Sequence, residues 1–87
     1  MYAWTINSVT DDEDARSVGV VGPRTATLTS DEIRKKGRKF RLLTDDREVM
    51  ATGSLVGGDG FEPLDDYGTP YWGCTMIEFW ENGWKQL

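Results

Sequence analysis

Eighty-seven residues suffice for one domain with a single economical core, and four Trp, three Tyr and three Phe supply much of the apolar bulk such a core needs. A lone cysteine excludes an internal disulfide, and with no histidine anywhere zinc chemistry and histidine-based catalysis lack their usual side chains. A net charge of −5 and a pI near 4.5 are not those of a typical nucleic-acid-binding domain.

That charge is unevenly placed. Residues 1–41 sum to +2 and residues 42–87 to −7, and six of the ten basic side chains fall between Arg34 and Arg41. No apolar run reaches the roughly 18 residues of a membrane span. The segment Met1–Asn7 lacks the basic start and apolar stretch of a secretory signal. Small secreted domains are usually stapled by disulfides, so the expectation is a cytoplasmic protein with no membrane contact.

In chain order, Tyr2, Trp4 and Ile6 alternate with Ala3, Thr5 and Asn7, the pattern of a half-buried strand over about 2–9. The run Asp11-Asp12-Glu13-Asp14 breaks it and predicts a solvated loop. Ser17–Val21 reads as a second strand, ended by the turn pair Gly22-Pro23. A short helix over about 30–36 is marked by several independent signals. Thr29 is placed to cap it, Glu32 to close a capping box, and Leu28 and Ile33 to form a hydrophobic staple. Asp31 and Glu32 suit the positive end of the helix dipole and Arg34, Lys35 and Lys36 the negative end, with Gly37 as a left-handed stop.

With Asp45-Asp46 as a two-residue turn, Leu42 faces Val49 and Phe40 faces Ala51, all on one buried face, while Lys39 and Arg41 are exposed. Five glycines and two prolines over 57–73 predict an irregular loop. Residues 74–80 then read as a strand, apolar on both faces and hence central in a sheet. Asn82-Gly83 predicts a final hairpin pairing Glu81 with Trp84 and Trp80 with Lys85. The fold class is α+β: one domain over 1–87, a mostly antiparallel sheet of about five strands, and one helix between the second and third.

Two constellations stand out. Over 57–73, the acids Asp59, Glu62, Asp65 and Asp66 surround Tyr67, Tyr71 and Trp72, residue types favoured at protein–protein hot spots. Asp65 and Asp66, adjacent in a Gly/Pro-rich loop, are expected to be solvated. The competing reading is an ordered loop whose aromatics complete the core. The second constellation is basic: Arg34, Lys35, Lys36, Arg38, Lys39 and Arg41 offer phosphate contacts, or simply a solvated face.

The acids lack the spacing of an EF-hand calcium loop, and Gly57-Gly58-Asp59-Gly60 lacks the Lys-Ser/Thr of a phosphate loop. Cys74 in a strand reads as an inert small hydrophobe. No metal, cofactor or catalytic residue is expected.

The segment from Gly60 to Pro70 (GFEPLDDYGTP), followed by Gly73-Cys74-Thr75-Met76-Ile77, resembles short proteins of actinobacteria and their phages. Those proteins also begin with a similar Tyr-x-Trp-Thr-Ile and carry a Val-Gly-Pro-Arg box, here Val21 to Arg24. The resemblance covers most of the chain and implies origin more than function. In size and charge alone the chain is also similar to phage anti-CRISPR proteins, which implies a non-catalytic inhibitor but transfers no residues.

The reading is therefore a small acidic, non-enzymatic protein-binding module that occludes a basic surface on a host complex, in the host-cell cytoplasm if phage-encoded. Nucleic acid is not the expected partner, and the chain is a monomer or homodimer. The alternatives are a phosphate- or nucleic-acid-contacting domain through 34–41, and a structural subunit.

Overall fold

The computed structural model describes residues 1–87. Six strands form one antiparallel sheet: β1 (Ala3–Val9), β2 (Val21–Gly22), β3 (Arg38–Leu43), β4 (Val49–Val56), β5 (Met76–Trp80) and β6 (Trp84–Gln86), in the order β2-β1-β4-β3-β5-β6. The architecture is α+β, with one strand more than the pattern suggested. No helix is long and apolar enough to cross a membrane.

One sheet face carries the main core. Trp4, Ile6, Phe40, Leu42, Ala51, Leu55, Ile77 and Phe79 are buried there under Leu64 and Cys74. Gly53 lies opposite both Ile6 and Phe40, and a Cβ on it would stand 2.3 Å from the Phe40 ring, so that ring occupies the space a side chain would need.

The other face is covered only over β1 and β4, by helix α1 (Ser30–Lys36). Ile33 is fully buried there, and the Ser30 and Thr5 hydroxyls meet at 2.7 Å. Ala3 to Ile6 are consequently buried on both sides, so β1 is a central strand and not the half-buried one its alternation suggested. The capping box is present: Thr29 Oγ1 accepts from Glu32 N at 3.2 Å, and Glu32 Oε1 accepts from Thr29 N at 3.0 Å. Hydrogen bonds from Thr29, first its backbone amide and then its side chain, hold the Glu32 carboxyl below the usual carboxylate range. Gly37 is extended (φ −84°) and not a left-handed stop. Its requirement is room, since a Cβ would lie 2.7 Å from Ile33 O and 2.9 Å from Leu55 N.

Other expectations are corrected as well. The acidic run is a 3-10 helix over Asp12–Ser17, capped by Asp11, whose carboxylate accepts from Glu13 N; three acids in its first turn complement the helix dipole. Ser17 belongs to that helix, which reduces the second strand to Val21–Gly22.

In the middle hairpin Phe40 pairs with Gly53 and Leu42 with Ala51, two residues from the expected register. The turn is longer, with Thr44 N donating to Glu48 O, Arg47 at φ 64° and a bulge between Leu42 and Leu43. A shift of two preserves the faces, so Phe40, Leu42 and Ala51 are still buried together. Lys39 is exposed, but Arg41 is half-buried.

The stretch 57–73 is irregular only over its first residues, 57–61. A π-helical turn (Leu64–Gly68) runs into α2 (Thr69–Trp72), which Gly73 ends at φ 66°. Its prolines sit where they cost little. Pro63 is the N-cap and Pro70 opens α2, where the wide turn already breaks the ladder and Thr69 N reaches back to Leu64 O.

In the last hairpin Trp80 pairs with Trp84, a one-residue slip from the expected register, because Glu81-Asn82-Gly83 forms the loop and Glu81 N donates to Gly83 O. That slip places both indoles on the same sheet face.

Candidate functional site

The helical segment 64–72 lies across the core face and is held there by polar contacts as well as packing. Asp66 Oδ2 accepts from the Tyr2 hydroxyl at 2.7 Å and from Trp4 Nε1 at 3.0 Å. The hydrogen bond to Asp66, followed by desolvation and the surrounding acids, pushes the Tyr2 phenol up to about 12. Tyr67 bonds Ser17 through its hydroxyl at 2.8 Å, while its ring meets Trp4 at 5.3 Å and Trp72 at 5.2 Å. Tyr71 stacks on the outer side of Tyr67 at 4.3 Å and remains 68% exposed.

These contacts divide the seven acidic and aromatic candidates. Tyr67 and Trp72 complete the core. Glu62 turns inward onto the backbone amides of Asp59 at 2.7 Å and Gly60 at 2.9 Å. Burial raises the Glu62 carboxyl, but those amide bonds and the Arg38 charge outweigh it and leave the group below its ordinary value. Asp66 reaches the surface but is engaged by Tyr2 and Trp4, so it is not the freely solvated carboxylate expected. Asp59, Asp65 and Tyr71 face solvent, joined by Phe61 at 45% exposure.

Between this segment and β2 runs a cleft of about 590 Å³ lined by Trp4, Val21, Pro23, Arg24, Asp66, Tyr67 and Tyr71. Its two walls have opposite charges, Arg24 on one and Asp66 on the other. Sequence reading had Arg24 only within the Val21–Arg24 box and gave it no role.

The basic constellation is dispersed. Arg34 Nε donates to Asn7 Oδ1 at 3.0 Å, and the Arg34 guanidinium faces Asp31 at 3.4 Å. Arg38 lies 4.3 Å above the Phe79 ring, on the core side. Arg41 binds Glu78 at 2.6 Å and covers the Trp84 ring at 4.6 Å. Arg47, which no motif marked, takes the second Glu78 oxygen at 3.0 Å. Lys35, Lys36, Arg38 and Lys39 of that segment are exposed and form no ion pair.

Cys74 is fully buried and its thiol is pushed up to about 11 by desolvation, so at neutral pH it is a protonated, inert core group. No three Cys, Asp or Glu side chains converge as a metal site would need. No protein-family model, curated protein or solved structure shows a significant match to the chain.

Proposed function

We propose that the chain is a small non-enzymatic protein-binding module and that its binding face is the outer surface of segment 59–72. One observation carries the reading: Tyr71 stands exposed at the rim of the cleft, supported from behind by Tyr67, and lines it together with Asp66. A rigid aromatic beside a carboxylate that no cation neutralises is suited to a partner presenting Arg or Lys, which gains cation–π and charge-assisted contacts together. The finer reading is an inhibitor, of phage or mobile-element origin, that occludes a basic surface on a host defence complex. Its support is charge complementarity, since acidic residues 42–87 would be steered toward such a surface. The inert Cys74 and the absence of histidine fit a role without catalysis.

Affinity capture from a host lysate on immobilised protein, read by mass spectrometry, tests this. The wild type should retain a partner that both Asp65→Lys and Tyr71→Ala lose while staying folded. A partner retained equally by all three proteins would place the interface elsewhere.

A further inference from the structure

The half of the sheet formed by β3, β5 and β6 has one face that no helix covers: α1 rests on β1 and β4, and segment 64–72 lies on the opposite side. On this open face the last hairpin sets Trp80 directly across from Trp84, the rings edge to face with centroids 5.4 Å apart. Trp80 is 54% exposed, and the Trp84 ring it meets is itself held by Arg41. The Arg41 guanidinium lies 4.6 Å from the Trp84 ring centroid, and its Nε is anchored by Glu78 at 2.6 Å.

Glu78 is nearly buried yet is shared by two guanidiniums, those of Arg41 and Arg47, so this cluster keeps a positive charge. Lys39 is exposed and projects from the same side of β3 as Arg41. The last turn of α1, which leads through Gly37 into β3, adds Lys35 and Lys36 at the border. The acids of 59–66 belong to the layer on the far side of the sheet. Carboxylates on the near side, apart from Glu78, lie in the two turns, at Asp45, Asp46, Glu48 and Glu81, and in the first turn of α1, at Asp31 and Glu32.

From this geometry we infer a second binding site, independent of the protein-binding face, that takes a single-stranded nucleic-acid segment. A base stacks on Trp80, and the flanking phosphates meet Lys39, Arg41 and the Lys35–Lys36 turn. A flat ring on an open sheet among cations selects an unpaired strand, because only there is a base free to leave its neighbours and stack on protein. The bases of a duplex are already stacked on one another. Recognition of this kind is tolerant of sequence and sensitive to salt.

The test is a titration of fluorescein-labelled oligouridylate of about twelve nucleotides, a length within the usual single-strand site range, followed at low salt by anisotropy and Trp emission. Saturable binding in roughly the micromolar range is expected, with Trp quenching, steep weakening as salt rises, and weaker binding of a duplex of equal length. Trp80→Ala should lower affinity roughly tenfold, the loss of one stacked base. Tyr71→Ala, on the opposite face, should leave binding unchanged. Lys39→Glu should weaken binding and flatten the salt dependence, which keeps the test open if the Trp80 variant fails to fold. The proposal is overturned by no saturable binding at low salt, by equal binding of duplex, or by folded Trp80→Ala and Lys39→Glu proteins that bind as the wild type does. Self-association abolished by Trp80→Ala, with no oligouridylate bound, would also overturn it and assign this face to a second copy.

Discussion

Asp66 Oδ2 accepts the indole proton of Trp4 at 3.0 Å, joining the covering helical segment to the first strand across 62 residues of sequence. The same oxygen accepts from Tyr2 at 2.7 Å, so one surface carboxylate closes the core edge with two hydrogen bonds. Asp66→Ala should destabilise the protein by about 1.5–3 kcal/mol, the range for hydrogen bonds to a charged group, whereas Asp65→Ala should stay within about 0.5 kcal/mol. Urea denaturation of the two variants side by side measures the difference. In Asp66→Asn the Tyr2 phenol should fall from about 12 toward its ordinary value, visible in an ultraviolet titration. Because the folded value is raised, the stability linked to Tyr2 is present below its unfolded pKa and lost as pH rises through the folded one.

Phe40 and Gly53 occupy complementary space across the β3–β4 ladder. Phe40→Ala should cost about 3–5 kcal/mol, much of what a domain of this size has. Gly53→Ala should destabilise by about 1–3 kcal/mol even though it only adds a methyl group, because the ring fills that space and Thr5 O bounds it at 2.3 Å. A Gly53→Ala protein as stable as the wild type in chemical denaturation would contradict the packing described.

Glu62 sets part of the acid limb of stability. Its folded pKa is depressed, so its contribution is present above the unfolded value and lost as pH falls through the folded one. Glu62→Gln should therefore lose stability at neutral pH and show a shallower decline on acidification. Denaturation midpoints measured between about pH 6 and about pH 2 check this, and parallel curves for the two proteins would exclude the role.

Thr29→Ala removes the hydroxyl that accepts from Glu32 N and should destabilise by about 1 kcal/mol. Thr29→Ser should restore most of the loss, which separates the cap from side-chain packing.

The parts legible in the sequence were those fixed by local chemistry. Thr29 and Glu32 announced the capping box through spacing alone, and Phe40, Leu42 and Ala51 announced a buried face through alternation. Register was less accessible, because it depended on the bulge after Leu42 and on Arg47 adopting a left-handed conformation in a lengthened turn. The helical character of 64–72 was hidden by Pro63 and Pro70, which sit at tolerated positions that composition cannot distinguish from helix-breaking ones. For the candidate site, the solvated position of Asp65 was readable, but the exposure of Tyr71 was not. The engagement of Asp66 with Trp4 and of Tyr67 with Ser17 depends on contacts 50 or more residues apart. The Trp80–Trp84 pairing on one face followed from a one-residue difference at the Asn82-Gly83 turn.

The central claim is that the outer face of 59–72 carries the interaction, and association kinetics with the captured partner test it most directly. Surface plasmon resonance across a salt series, with thermal melts alongside, should show slower association and a flatter salt dependence for Asp65→Lys, since steering by opposite charge acts on the on-rate. Tyr71→Ala should dissociate faster while melting close to the wild type, because its ring is mostly exposed. If both variants fold normally and bind with unchanged on- and off-rates, this face is not the interface and the account is wrong.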